Sequence, residues 1–485
     1  MNNESRLKIL FVSAEVSPYA KTGGLADVAG SLPKYLAAMG NDIRVVMPRY
    51  KSIKSEMSYV ADFPVSVDWR QETCIVRESG MTYKDGEIHK SLPVYFIDNY
   101  NYFNRDGIYC FNDDGERFAF FCKAVLGMLQ HINFQPDIIH CNDWHTGPIC
   151  MLLKEKYSNN EYYKNISTVF TIHNLQYQGH FSKDMLRIFE VGEELFVPEK
   201  VEFYGSFNFM KAGLVYADII NTVSETYAKE VQTQQYGEQL EGLLRNRSES
   251  LFGVVNGIDY DEFNPQTDTS IYKNYSLESF EVKKENKAAL QKEFGLPVRD
   301  VPLLGLVSRL TGQKGLNLIV DVVHEIFKED VQFVLLGTGD EYYESIFRDL
   351  RTQYPDKMGT YIGFNASLAQ RIYSGCDIFL MPSLFEPCGL GQIISMRYGT
   401  IPLVRATGGL AETVIDYNFD NKNGDGFVFW NFNSFELLEA VRRATGLCAG
   451  NKKEWEKLIK RCMQKDFSWF KSAAKYMELY NKTLK

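Results

Sequence analysis

A lysine set among glycines, Ala20-Lys21-Thr22-Gly23-Gly24-Leu25-Ala26-Asp27, is the first stretch of this chain with residue types suited to chemistry. Glycines let the backbone approach a ligand, a helix start offers unpaired N–H groups, and lysine adds a full charge, so the stretch suits an anion. It is neither a Walker A loop nor the dinucleotide fingerprint Gly-x-Gly-x-x-Gly. Read alone, it also fits a tight strand-to-helix turn with a solvated lysine. A second cationic stretch, Ser308-Arg309-Leu310-Thr311-Gly312-Gln313-Lys314-Gly315, could bring a guanidinium fork and an ammonium onto one diphosphate, or be a surface pair.

Three more groups belong with these. Glu386 stands in the turn Phe385-Glu386-Pro387-Cys388-Gly389-Leu390, just before a helical pattern, where a carboxylate can be a plain cap. Thr407-Gly408-Gly409-Leu410 is another glycine turn and another candidate phosphate seat. His173, at the end of an apolar run, is either a satisfied core histidine or a contact for a substrate hydroxyl. Cys388 reads as a packed thiol, because no base pairs with it in the sequence pattern. No metal site is expected: His140 and His145 are not at helical ligand spacing, and no Cys or carboxylate cluster completes one.

Alternating strands and helices must position these groups. Apolar strands are expected near 8–12 and 43–47, with a helix over 28–39 between them, which puts Lys21 at the carboxyl end of the first strand. Residues 50–115 read as extra strands and long loops, with alternation near 92–97. Runs at 136–143, 168–174 and 217–224 each end in hydrogen-bonding side chains, where ligands collect in open parallel sheets. The lysine-rich stretch 266–298 suits a boundary or an exposed helix. A second series follows, with strands near 303–307, 331–336, 360–362, 377–381 and 401–404. Helices are expected near 316–327, 367–375, 389–398, 409–416, 434–445, 452–464 and 469–484. Both halves open with strand, lysine-and-glycine loop and helix, so the expected fold class is α/β, with two doubly wound domains facing across a cleft.

The totals agree with that plan. A chain of 485 residues exceeds one ordinary core. A net charge of −9 argues against a dedicated nucleic-acid surface. The nine cysteines contain no Cys-x-x-Cys pair, no apolar run is long enough to cross a membrane, and no leader pattern precedes the first strand. A reduced, cytoplasmic enzyme is the expectation.

Seven motifs stand here in order. They are Lys21-Thr22-Gly23-Gly24-Leu25-Ala26-Asp27-Val28, Asp143-Trp144-His145, Thr171-Ile172-His173-Asn174, Asn256-Gly257-Ile258-Asp259, Ser308-Arg309-Leu310 with Gln313-Lys314-Gly315, Glu386-Pro387-Cys388-Gly389-Leu390, and Thr407-Gly408-Gly409-Leu410. Through essentially its whole length the chain resembles the bacterial glycogen synthases, a family that includes plant starch synthases. The resemblance implies a GT-B fold of two Rossmann-like domains, over 1–258 and 259–465, and a C-terminal helix over 466–485 that crosses back to the first. It implies transfer of glucose from ADP-glucose to the non-reducing 4-hydroxyl of an α-1,4-glucan, with retention and with no metal or cofactor.

The same resemblance assigns roles. Arg309 and Lys314, with the turn at Thr407, Gly408 and Gly409, would stabilise the departing diphosphate. Glu386 would bind the transferring glucose and, with Asp143, offset oxocarbenium charge, and His173 would hydrogen-bond a sugar hydroxyl and orient the ring. Phe364 stands where the family commonly has an adenine-stacking tyrosine. Asn256, Cys388, Gly389 and Leu390 join the donor contacts, and Lys21, Gly23, Gly24 and Asp27 would clamp the donor on domain closure. The alternatives are a UDP-glucose-dependent synthase of the same fold and an inactive glucan-binding scaffold.

Overall fold

The computed structural model describes residues 6–484, with residue 85 as backbone alone; residues 1–5 of the stretch read for a leader lie outside them. The chain divides into two compact units, one running to Gly257 and resuming at Trp469, the other Ile258–Ser468.

In the first unit, β1 (Lys8–Val12), β2 (Asp42–Pro48), β3 (Ser58–Val67), β4 (Arg70–Asp85), β5 (Ile88–Asp98), β6 (Ile138–Asn142) and β7 (Ser167–Ile172) come first. They are followed by β8 (His180–Phe181), β9 (Glu202–Phe203), β10 (Ser206–Asn208), β11 (Ile219–Thr222) and β12 (Leu251–Gly253). The main sheet has nine strands in the order β12-β11-β7-β6-β1-β2-β5-β4-β3, and β8, β10 and β9 form a separate small sheet. All main-sheet pairs from β12 to β5 are parallel; β4 and β3 add an antiparallel edge. Ile9, Leu10, Phe11 and Val12 are fully buried, as a central strand covered on both faces requires. Strand order reverses beside β1, which pairs with β2 on one side and β6 on the other (Leu10 opposite Arg44 and Ile139). The loops leaving β1 and β6 therefore flank a switch point, and they carry Lys21 and Asp143.

The second unit repeats the plan with β13 (Leu303–Val307), β14 (Gln332–Gly337), β15 (Met358–Ile362), β16 (Ile378–Met381), β17 (Ile401–Arg405) and β18 (Phe427–Phe429). Its order is β15-β14-β13-β16-β17-β18, all parallel. The switch point lies between β13 and β16, whose outgoing loops carry Lys314 and Glu386.

The C-terminal helix Trp469–Thr483 belongs to the first unit, with Trp469, Tyr476 and Tyr480 buried there. The Tyr480 hydroxyl meets His140 Nδ1 at 2.7 Å, and Asn221 Nδ2 donates to Tyr476 Oη at 3.2 Å. His140 Nε2 lies 2.6 Å from Thr171 Oγ1, so both ring nitrogens are satisfied within the core. Burial lowers its pKa to about 3. This histidine ties helix to sheet.

Two stretches differ from expectation. The lysine-rich segment 266–298 is neither boundary nor simply exposed helix: within Lys283–Glu293, Lys283, Asn286, Leu290 and Gln291 are buried. Lys283 Nζ donates to Ser374 O (2.7 Å) and Thr400 Oγ1 (2.6 Å), contacts that a hydropathy reading cannot foresee. The helix Glu341–Gln353, which no expected element covered, buries only Phe347 and Leu350. So thin an apolar stripe barely registers as a period.

Candidate active site

In the second unit the geometry centres on Glu386, which is 8% exposed. Its Oε2 accepts from Lys314 Nζ at 2.7 Å and from Ser383 Oγ at 2.9 Å. Charge-assisted bonds fix the carboxylate and leave Oε1 available for a ligand. The loops meet because of their glycines. Gly315 has φ +67°, and a Cβ there would lie 1.9 Å from Pro382 O, so only glycine lets the β13 loop reach the β16 loop. Leu384 N donates to Gln313 O at 2.8 Å across the same contact.

The turn after β17 joins them by the same device. A Cβ on Gly408 would stand 1.9 Å from Glu386 O, and one on Gly409 2.1 Å from Cys388 O. Gly409 N donates to the carbonyls of Glu386 and Pro387, each at 3.2 Å. This amide therefore holds the Glu386 loop and is not directed to a phosphate. Thr407 and Cys388 are buried, Gly389 adopts φ +73°, and Leu390 is half-buried.

Arg309 follows β13, is exposed, and forms no ion pair among the described residues. Phe364 follows β15, is 84% exposed and stacks on no ring among the described residues. An unpaired guanidinium and a bare aromatic face are what a nucleotide diphosphate can use. A cavity of about 520 Å³ in this unit is lined by residues that include Val301, Pro302 and Asp377. It thus opens at the amino ends of β13 and β16, away from these groups.

In the first unit Lys21 is exposed and its Nζ lies 2.5 Å from Asp27 Oδ1. Helix Gly24–Ala38 starts behind Gly23 with no side-chain cap among the described residues, none of which comes within 4 Å of a Cβ placed on Gly23. Sequence reasoning missed what holds this loop. Glu15 is 3% exposed; it accepts from Thr22 N, from Thr22 Oγ1 at 2.7 Å and from the Tyr109 hydroxyl at 2.6 Å. A lone glutamate directly after a buried strand, in Ser13-Ala14-Glu15-Val16, was the available signal.

Asp143 and His173 are brought together, since His173 N donates to Asp143 Oδ1 at 3.1 Å. Asp143 adopts φ 58° and ψ 177°, a region nearly reserved for glycine and costly for aspartate by roughly 1–3 kcal/mol. Burial raises its pKa to about 7 against the backbone amides of His173 and Asn174, with the Glu15 carboxylate adding to the rise. Burial also raises Asp27, against the pull of Lys21. The His173 ring is held neutral, its pKa lowered to about 3 by burial. Asn142 Nδ2 donates to Val12 O at 3.0 Å, so Asn142 Oδ1 accepts from His173 Nε2 at 2.9 Å and the ring presents Nδ1 as an acceptor. Asn256 is 5% exposed, and its Oδ1 is buried with no hydrogen-bond partner among the described residues. Buried acceptors rarely stay unpaired without a ligand or water.

Comparison with known proteins bears on this geometry. Residues 8–246 match the starch synthase catalytic domain and residues 289–447 the group 1 glycosyl transferases. The chain is 53% identical over 480 residues to the glycogen synthase of Desulforudis audaxviator, covering 98% of this chain and 96% of that one. It is 54% identical over 478 residues to that of Moorella thermoacetica, covering 99% and 97%. The chain belongs to the glycogen synthase family of glycosyltransferases. Among solved structures, the catalytic domain of starch synthase IV from Arabidopsis thaliana, bound to ADP and acarbose, matches with a TM-score of 0.92 and 32% identity, over 99% of this chain and 100% of that one. The fold is thus GT-B, and the two units are its two α/β domains.

Proposed function

We propose that this chain transfers glucose from ADP-glucose to the non-reducing 4-hydroxyl of an α-1,4-glucan, with retention of configuration. The observation that carries the reading is the Lys314–Glu386 pair at the β13/β16 switch point, beside the unpaired Arg309. A nucleoside diphosphate leaving group gains charge as the glycosidic bond lengthens, and Arg309 and Lys314 are the cations to stabilise it. Glu386, through Oε1, holds the transferring glucose. The neutral His173 accepts a sugar hydroxyl at Nδ1, and ionised Asp143 offsets the positive charge at C1. The bond from C1 to the diphosphate oxygen breaks with its electron pair on ADP. The acceptor O4 bonds to C1 on the same face, and its proton passes to a phosphate oxygen. Asn256, Cys388, Gly389, Leu390, Thr407, Gly408 and Gly409 shape the donor seat, the last two by placing Glu386. Lys21, Gly23, Gly24 and Asp27 serve the donor from the first unit, Lys21 by charge. Phe364 serves the adenine by stacking, which a phenylalanine does without the tyrosine hydroxyl.

A nucleotide sugar and a glucan suit the family, since the matched starch synthase was solved with ADP and acarbose. Cytoplasmic residence is supported by the thiol state of all nine cysteines. The charge roles are all met by side chains, so chelator is expected to leave the rate unchanged. The deciding assay is glucose incorporation into glycogen from each nucleotide donor; a preference for UDP-glucose would overturn the donor assignment. Glu386→Ala and Lys314→Ala are each expected to lower kcat by about 10²–10³. Unchanged incorporation by Glu386→Ala would remove Glu386 from the chemistry.

A further inference from the structure

A second recess lies in the first unit, beyond the His173 loop. It has a volume of about 290 Å³, and its lining includes Gln176, His180, Tyr204, Ser206, Glu238 and Gln239. Among the described residues no lysine or arginine lines it, so it is unsuited to a phosphate or a nucleotide. Amides, a hydroxyl, one carboxylate and an imidazole beside an aromatic ring are instead the groups that read a neutral polyol. Burial lowers the His180 pKa, so the ring meets a ligand uncharged at neutral pH.

The recess is also a strained place. Tyr204 (φ 48°), Glu238 (φ 48°) and Gln239 (φ 67°) are all non-glycine residues in the left-handed region, and all three line it. Strain of this kind gathers where surrounding structure holds a surface in one shape. Here the buried Gln178 does the holding: its Nε2 donates to Glu238 O at 3.0 Å, and its Oε1 accepts from Asn208 Nδ2 at 2.7 Å. Tyr204 is nonetheless 78% exposed, at the tip of the β9–β10 hairpin. Its neighbour Phe203 lies against His180 with ring centroids 5.4 Å apart.

The recess adjoins the reacting groups of its own unit. Gln176 is three residues beyond His173, so their Cα atoms are within about 10 Å. Gly179 lies against the Trp144 ring, where a Cβ would come within 2.3 Å, and Trp144 directly follows Asp143. We infer that this recess is a subsite for the acceptor chain, in which a glucosyl unit of an α-1,4-glucan stacks on Tyr204 and is read by Gln176, Glu238 and Gln239. The inference rests on the glucan reading of the function above.

The test is titration of the full chain with maltoheptaose in the absence of nucleotide. Tyr204→Ala is expected to weaken binding about tenfold, the size of one lost ring contact, and Tyr204→Phe to bind within twofold of the unmodified chain. Gln239→Ala should weaken it less. ADP affinity should stay constant in all three, which certifies the fold. Binding by Tyr204→Ala and Gln239→Ala equal to the unmodified chain overturns the subsite. So does an unmodified chain that incorporates glucose into glycogen yet gives no maltoheptaose binding. Absence of incorporation from any nucleotide sugar would instead overturn the functional reading, and the binding comparison would still decide the recess.

Discussion

Asp143 owes its chemistry to position more than to type. As a free side chain it would be ionised throughout the neutral range, yet burial raises it to about 7. The folded chain therefore keeps a proton that the unfolded chain releases near 3.8. The sign follows from linkage: the Asp143 contribution falls as pH rises from about 4 to about 7 and is level above, opposite in sign to that of the buried histidines of the same unit. Asp143→Asn should remove that contribution, so that raising the pH from about 5 to about 8 increases the urea midpoint more in the variant than in the unmodified chain. If the ionised form serves the reaction, turnover of the unmodified enzyme rises through about pH 7. In Asp143→Asn that limb should vanish and kcat should fall by about 10². Asp143 and His173 were legible as motif residues. Glu15 was not, because nothing in its spacing announces that it anchors Thr22 and Tyr109.

The loops leaving β13, β16 and β17 are held at van der Waals limits by Gly315, Gly408 and Gly409. Gly409→Ala would place a methyl group 2.1 Å from Cys388 O and push the Glu386 loop away. A displacement of about 1 Å at a reacting group lowers turnover by about 10², so kcat should drop by that order with unfolding still cooperative. The buried end of helix Lys283–Glu293 supplies a stability test. Burial pulls Lys283 down to about 7 while Ser374 O and Thr400 Oγ1 accept its protons. Lys283→Ala removes the buried donor shared by Ser374 O and Thr400 Oγ1 and should cost about 3 kcal/mol in denaturant unfolding. The glycine turns could be read as turns from their residue types. Which carbonyl each would face depends on loops about 20 to 70 residues apart, and no local pattern encodes that.

At the scale of the whole chain, the first unit is closed by a helix from the other end of the sequence. The return is bonded, through Ser472 Oγ to Val255 O at 2.7 Å and through Tyr480 to His140. Tyr480→Phe strips His140 of a buried partner and should cost about 1–3 kcal/mol. Hydrogen exchange should show the loss in β6 and β7, with β13 and β14 unaffected; equal protection throughout would refute the coupling. His140, His145 and His173, all in this unit, are each held below the usual imidazole pKa by burial. Their contribution is fully present above about pH 6.5 and is lost as pH falls below it, so acid should open this unit.

By itself the sequence determined the α/β rhythm, the glycine loops and the motif residues, because period, turn chemistry and local charge are properties of neighbours in the chain. It determined the family as well, through seven motifs in order. Only the tertiary structure decided that His140 is a core strut, that Lys283 is buried, and that Gly409 serves Glu386 before any phosphate. It alone decided that Asp143 titrates near neutrality. Burial and partner identity arise from contacts between distant segments, and those exist only once the sheets have set which loop ends lie side by side.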